Sequence, residues 1–255
     1  MRDDIESCKS LDELFNRWEK QENHDCETFV RDGFVSGKWG SKKKILFILK
    51  EAYLKRDKDG KVENGEHDMR DWLSNEEGFY DLLDGKYKNF WRRIVEWTYC
   101  INETNATKIA PFPSDLFKKT NKKVAADFAN SIAIMTLKKS NGKTVSNSKD
   151  LRQYVKNDRK FIKRQIELIS PDIIVVCGNI LDMLDKNVYN SEIKNLKCDD
   201  WFYNTKKITG SDIIVIDYYH PSSWSTKIKD WKDPETRYYK LAECYQKALL
   251  SKIKK

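Results

Sequence analysis

The chain has 255 residues, a formal net charge of +8, an isoelectric point of about 9.0, and eight Trp, twelve Tyr and eleven Phe residues. This aromatic content excludes a wholly disordered chain, although 35% of the residues are charged. No apolar run approaches the roughly 20 residues that a membrane-spanning helix needs. The first residues also lack the apolar segment of a signal peptide, so we expect a cytoplasmic protein without a membrane partner.

The positive charge is compatible with a polyanionic partner such as nucleic acid, and also with an ordinary lysine-rich surface. The cysteines contain no CxxC pair, so we expect reduced thiols and neither disulfides nor a zinc site. His24 and Cys26 lie close in sequence, but two candidate ligands without a second pair do not define a metal site. We therefore expect no bound metal.

Residues 1–40 are predicted to form a helical extension, because Ser10 and Glu13 have the spacing of a helix-capping box and apolar residues follow at helical spacing. Beyond it, short apolar runs predict strands. These runs are mostly continuous rather than alternating, which is typical of strands buried on both faces of a parallel sheet. They cover residues 45–49, 132–137, 172–177 and 212–216.

Helical patterns occupy residues 87–101, then 151–169 as one basic helix, and the segment that begins at Asp233 and Pro234. The gaps between the strands are long enough for crossover helices. The sequence therefore predicts an α/β fold, a three-layer α/β/α sandwich with a central four-stranded parallel sheet. No linker divides the chain, so we expect a single domain over residues 1–255.

Polar residues follow two of the predicted strands at their carboxyl ends, where open α/β sheets bind ligands. Lys50 and Glu51 come directly after the first strand, and His220 follows the last strand with Pro221 behind it. Each group can be an ordinary surface feature, a Lys–Glu pair in water or a histidine in a turn. A functional site would require Glu51 and His220 to meet at one edge of the sheet.

Three segments in this order, "ILFILKEAY", "PDIIVVCGN" and "HPSSW", resemble the motifs of the uracil-DNA glycosylase superfamily. These motifs are an acid-bearing segment after the first strand, a proline-led strand that ends in glycine, and an H-P-S segment after the last strand. "IAIMTLKK" falls where the family has its second strand. The resemblance spans roughly residues 44–225 and implies the same sandwich with a four-stranded parallel sheet.

The resemblance implies hydrolysis of the N-glycosidic bond of uracil or another damaged base that is flipped out of DNA. Glu51 would stabilise the sugar cation and orient the attacking water. His220 would donate a hydrogen bond to the departing base, where negative charge develops. Ser222 and Ser223 would hold DNA phosphates. Trp224 would either wedge into the duplex or serve as a packing residue.

Base recognition is implied for two further residues. In one of two possible alignments Tyr53 is the ring that excludes a thymine methyl, and both alignments assign the acid to Glu51. Thr136 falls where many members of the family carry an asparagine that reads uracil, and one hydroxyl cannot make the same two contacts as an amide. The glycine of the acid-bearing motif is also missing. Trp72 and Phe79 are candidates for the base-stacking ring, or core residues.

Lysines after the second and last strands would follow the DNA backbone, so that binding weakens steeply with salt. They are Lys138, Lys139, Lys143, Lys227 and Lys229. The chain lacks the clustered cysteines of the iron–sulfur branch of the family, so we expect no cluster, no other cofactor, and a monomer. Two alternatives stay open: a catalytically inactive, glycosylase-like protein that binds nucleic acid or a nucleotide, and a hydrolase of free nucleosides.

Overall fold

The structure, a computed structural model, describes residues 5–34, 39–52, 58–59, 67–70, 82–85, 87–143, 145–197, 199–206, 208–222 and 233–253. The strands are β1 (Val30–Arg31), β2 (Gly33–Phe34), β3 (Ile45–Glu51), β4 (His67–Asp68), β5 (Ile132–Lys138), β6 (Ile173–Cys177), β7 (Phe202–Thr205) and β8 (Ile213–Tyr218). The α-helices are α1 (Leu11–Trp18), α2 (Lys88–Glu103), α3 (Lys122–Asp127), α4 (Ser148–Asn157), α5 (Arg159–Ile169), α6 (Leu181–Val188) and α7 (Pro234–Ile253).

The main sheet has six strands in the order β2-β5-β3-β6-β8-β7. Its four central strands are parallel, and β2 and β7 pair antiparallel at the two edges. The predicted α/β class is confirmed, and the four apolar runs form the parallel centre. The predicted number of four strands is wrong, because edge strands of two and four residues are too short to show a pattern. The short strands β1 and β4 pair separately.

Helices cover both faces of the sheet, which explains the continuous apolar runs. On β3, Phe47 and Leu49 pack into a core that includes residues of α2 and α7. Leu46 and Ile48 point the other way, into a core that includes residues of α1, α4, α5 and α6. Within the described part of the chain, no helix is long and apolar enough to cross a membrane.

The amino-terminal segment joins the core instead of lying beside it. The Ser10 hydroxyl accepts a hydrogen bond from the Glu13 N–H at 3.2 Å, as a helix cap does, while the Glu13 carboxylate accepts from the Lys9 N–H. Phe15 and Trp18 of α1 are fully buried. Strand β2 then extends the main sheet, so the described part of residues 1–40 supplies both a helix and a strand.

Candidate functional site

The candidate site lies at the carboxyl edge of the parallel strands. Strand β3 ends at Glu51, β6 ends at Cys177 one strand further, and β8 ends at Tyr218, next in the sheet after β6. Cys177 pairs with Tyr218, so His220 follows β8 at the same edge. Neighbouring strands are about 4.8 Å apart, which puts β3 and β8 roughly 10 Å from each other. The structure therefore brings Glu51 and His220 to one edge.

His220 is a neutral imidazole with one nitrogen already engaged. Its Nδ1 atom lies 3.2 Å from the backbone nitrogen of Ser222, which donates a hydrogen bond to it. Burial, followed by the positive charge of Lys50, lowers the pKa of His220 from 6.5 to about 4. Because Nδ1 accepts, the single proton of the neutral ring is on Nε2. His220 thus presents an N–H donor at neutral pH.

Gly178 forms the floor between Lys50 and His220. Its φ of 94° is in the region that favours glycine. A Cβ atom at this position would lie 3.3 Å from Cε of Lys50, 3.4 Å from Cβ of His220 and 3.7 Å from Cδ2 of the imidazole. The side chains of Lys50 and His220 therefore converge above Gly178, and this contact explains why the lysine charge acts on the histidine.

The turn that carries His220 is held from helix α2. The Arg93 guanidinium is buried and donates a hydrogen bond to the carbonyl oxygen of Pro221. The ring of Phe90, one turn earlier on α2, lies 6.0 Å from the imidazole of His220 between centroids. Since Pro221 also restricts the backbone of His220 to extended conformations, the direction of the imidazole is fixed on two sides.

Glu51 has a counter-ion, but it is not its neighbour Lys50. The Glu51 side chain is 4% exposed, and its Oε2 atom lies 3.4 Å from Nζ of Lys138 on the adjacent strand β5. The backbone N–H of Lys143 donates to the same oxygen at 3.3 Å. Lys138 also donates to Asp150 at 2.6 Å. Burial lowers the pKa of Lys138, but the hydrogen bond to Asp150 and the two carboxylate charges outweigh it, so the pKa is raised overall.

Thr136 is used inside the protein rather than at the site. It is 1% exposed, and its backbone N–H and its hydroxyl both donate to Oδ2 of Asp32, at 2.7 Å and 2.8 Å. A hydroxyl carries one proton, so Thr136 has no second donor for a base. The resemblance implies that Thr136 reads the base, whereas in the structure both of its donors bind Asp32, which lies directly before strand β2.

Lys138 and Lys139 are predicted to follow the DNA backbone, but the structure buries both side chains. Their side chains are 2% and 0% exposed, so neither can follow a DNA backbone in this conformation. Nζ of Lys139 lies 2.5 Å from Oδ1 of Asp32, and burial lowers the pKa of this lysine despite that carboxylate. Both lysines lie at the end of a fully buried strand, and each pairs with a buried or half-buried carboxylate instead of facing solvent.

Two other predicted contact residues are on the surface. Lys143 and Ser222 are exposed, so they stay candidates for contact with DNA phosphates. The remaining predicted positions fall outside the described residues. They are Tyr53, Trp72, Phe79, Ser223, Trp224, Lys227 and Lys229.

An aromatic pair at the same edge, exposed Trp201 and partly buried Tyr219, was not predicted from the sequence pattern. Trp201 directly precedes β7, which runs antiparallel to β8, so it lies near the carboxyl end of β8, where its carbonyl accepts from the N–H of Asp217. Trp201 is 39% exposed, and its ring lies 5.4 Å from that of Tyr219 between centroids. The available signal in the sequence was a tryptophan that follows two aspartates and directly precedes a short strand.

Two carboxyl groups, one on α2 and one on β8, have raised pKa values. Burial raises the pKa of Glu96 on α2 to about 7, against the charges of Arg93 and Arg92. Burial raises the pKa of Asp217 on β8 to about 6, against the charge of Lys194. Across the described ranges, no group of three or more His, Cys, Asp or Glu side chains is arranged to hold a metal ion.

The fold and the site define the chain as an α/β protein with a candidate site at the carboxyl edge of its parallel strands. Comparison with protein-family models finds no matching family, and a search of curated proteins finds no match.

Proposed function

We propose that the protein is a DNA base glycosylase, which hydrolyses the N-glycosidic bond of uracil or another damaged base. DNA is its partner, and it acts as a cytoplasmic monomer without a cofactor. One observation carries the proposal: His220 is a neutral imidazole with its proton on Nε2, and it lies at the same edge of the sheet as the carboxylate of Glu51.

In this proposal the bond between C1′ of the sugar and the base nitrogen breaks, and its electron pair leaves with the base. The Nε2–H of His220 donates to the base oxygen that gains negative charge, and the nearby ammonium of Lys50 adds to the stabilisation. Glu51 stabilises the cation at C1′ and orients the water that attacks it. The water loses one proton to solvent, and the released base anion takes one up.

Three further observations support the proposal. The four parallel central strands, with helices on both faces, agree with the sandwich that the resemblance implies. The Trp201–Tyr219 pair offers an exposed ring at the same edge, and stacking of a base on an aromatic side chain is a common way to bind unpaired nucleotides. The net charge of +8 is compatible with a DNA partner.

A second candidate is a glycosylase-like protein that binds nucleic acid or a nucleotide without cleaving it. The contact that favours it is the one between Lys138 and Glu51, 3.4 Å apart with both side chains almost fully buried. A lysine ammonium at this distance offsets the negative charge that would stabilise a sugar cation. The two candidates therefore differ in whether Glu51 acts on the substrate or only in the ion pair.

The experiment is a base-release assay on duplex and single-stranded DNA that contains uracil, hypoxanthine or xanthine, with abasic sites as the readout. The enzyme proposal expects release by the wild type and a loss of about a hundredfold or more in Glu51→Gln and His220→Asn. Glu243→Gln, an exposed substitution on α7, is the matched control. Binding of DNA without any abasic product would support the second candidate and refute the first.

A further inference from the structure

The loop after strand β5, residues 140–143, approaches the backbone after Glu51 unusually closely. A Cβ atom at Gly142 would overlap the carbonyl oxygen of Ala52 and lie 2.9 Å from its carbonyl carbon. Any residue other than glycine would therefore push the loop away from β3. The next residue in the loop, Lys143, supplies the backbone N–H that binds Oε2 of Glu51.

The same 140–143 loop is attached on its other side to the amino-terminal segment. The Ser140 hydroxyl lies 2.8 Å from Nδ1 of His24, whose Nε2 lies 3.0 Å from Oδ2 of Asp158. The Asn141 N–H donates to the Thr28 hydroxyl at 3.1 Å. His24, Ser140 and Asp158 are all buried, so these contacts are shielded from water.

Three more residue pairs continue this attachment down strand β5. The Val30 N–H donates to the carbonyl of Lys139 at 2.7 Å, and the carboxylate of Asp32 binds both Lys139 and Thr136. Residues 24–32 thus lie alongside residues 136–141 and contact them at several positions. The amino-terminal segment holds the loop on one side, and the backbone of Ala52 packs against it on the other side.

We propose that the 140–143 loop is a positioning element for the Glu51 carboxylate, with Gly142 as its required residue and Thr28 and His24 as its anchors. This inference rests on the proposed function, since it assigns the loop to the carboxylate that acts in it. The loop does not contact the reacting atoms. It holds Oε2 through the Lys143 N–H, so that the carboxylate keeps one direction relative to C1′.

The position of a catalytic group matters strongly for rate. A displacement on the order of 1 Å can reduce the rate about a hundredfold. The acid-bearing motif of this chain lacks the glycine of the glycosylase motif, because Leu49 or Lys50 stands at that position. In this chain the close backbone approach beside that motif is made by a glycine of the neighbouring loop instead.

The test compares wild type, Gly142→Ala and the control Val145→Ala, a change at a side chain that is 80% exposed in the same connection. Three quantities are measured. Amide hydrogen exchange of Lys143, by NMR, reports the hydrogen bond to Glu51 directly. The rate of base release with DNA bound to excess protein reports catalysis, and DNA affinity is measured separately. Thr28→Val loosens the loop from the other side and replaces Gly142→Ala if that variant does not fold.

The proposal expects faster exchange of the Lys143 amide in Gly142→Ala, about a hundredfold slower base release from bound DNA, and wild-type behaviour of Val145→Ala. An unchanged Lys143 exchange rate in both Gly142→Ala and Thr28→Val would overturn it, as would faster exchange with undiminished base release. If the wild type releases no base, the proposed enzyme function fails. The exchange data then still decide whether the loop holds the carboxylate.

Discussion

The stability of the protein should depend on pH through His220. Its pKa is lowered from 6.5 to about 4 in the folded protein, first by burial and then by the charge of Lys50. In the unfolded chain the pKa returns to its ordinary value, so below pH 6.5 the unfolded state takes up a proton that the folded state does not. The stabilisation linked to neutral His220 is therefore complete above pH 6.5 and is lost progressively as the pH falls to about 4.

The perturbation is His220→Asn, which keeps an acceptor for the Ser222 N–H but does not titrate. Linkage between the two pKa values amounts to about 2 kcal/mol between pH 7.5 and pH 5. Urea denaturation of both proteins across this range measures the effect. We expect the wild type to lose about 2 kcal/mol more than the variant, because their other titrating groups are shared.

An NMR titration measures the same pKa directly, and the chain has only three histidines to assign. We expect His220 to titrate near pH 4 with its proton on Nε2, and Lys50→Met to raise its pKa. A wild-type midpoint near 6.5 would refute the reasoning. So would parallel loss of stability in wild type and His220→Asn, since either result would mean that His220 is not a buried neutral donor.

Three other outcomes follow from the structure. Lys139→Met should lower the free energy of unfolding by about 3–5 kcal/mol in urea denaturation, because it leaves buried Asp32 without its counter-ion, and adding Asp32→Asn should recover part of it. Since burial raises the pKa of Glu96 to about 7, the wild type should gain about 2 kcal/mol over Glu96→Gln, again in urea, when the pH is lowered from 7 to 5. Trp201→Ala should weaken binding of a single-stranded oligonucleotide in a fluorescence titration by about 1–3 kcal/mol, with an unchanged salt dependence. Equal losses of unfolding free energy in Lys139→Met and in the double variant with Asp32→Asn would contradict the first expectation. A stability difference between wild type and Glu96→Gln that does not change with pH would contradict the second. Unchanged oligonucleotide affinity in Trp201→Ala would contradict the third.

Local patterns predicted much of the fold because their causes are local. The central strands are continuously apolar, and helix α7 begins at Pro234 with Asp233 as its cap, where the Asp233 carboxylate accepts from the Thr236 N–H at 3.0 Å. The predicted helix over 151–169 is two helices in the structure, α4 and α5, separated at Asp158. The carboxylate of Asp158 binds His24, more than a hundred residues earlier, and the sequence pattern cannot show such a contact.

The same reason limits prediction of the site. The strand ends correctly placed Glu51 and His220 at one edge, because parallel strands share a direction. The shared partner of Lys139 and Thr136 could not be predicted, since it is Asp32, an acid beside a two-residue edge strand with no sequence pattern of its own. The partner of Glu51 is likewise Lys138 on the next strand, selected by strand register rather than by sequence proximity.

Base release by the wild type and by Glu51→Gln, on DNA that contains uracil, hypoxanthine or xanthine, tests the central claim most directly. We expect abasic sites with at least one of these bases and a rate about a hundredfold lower in the variant. No release from any of these substrates, or equal rates in wild type and Glu51→Gln, would contradict the assignment of Glu51 and His220 to one catalytic site.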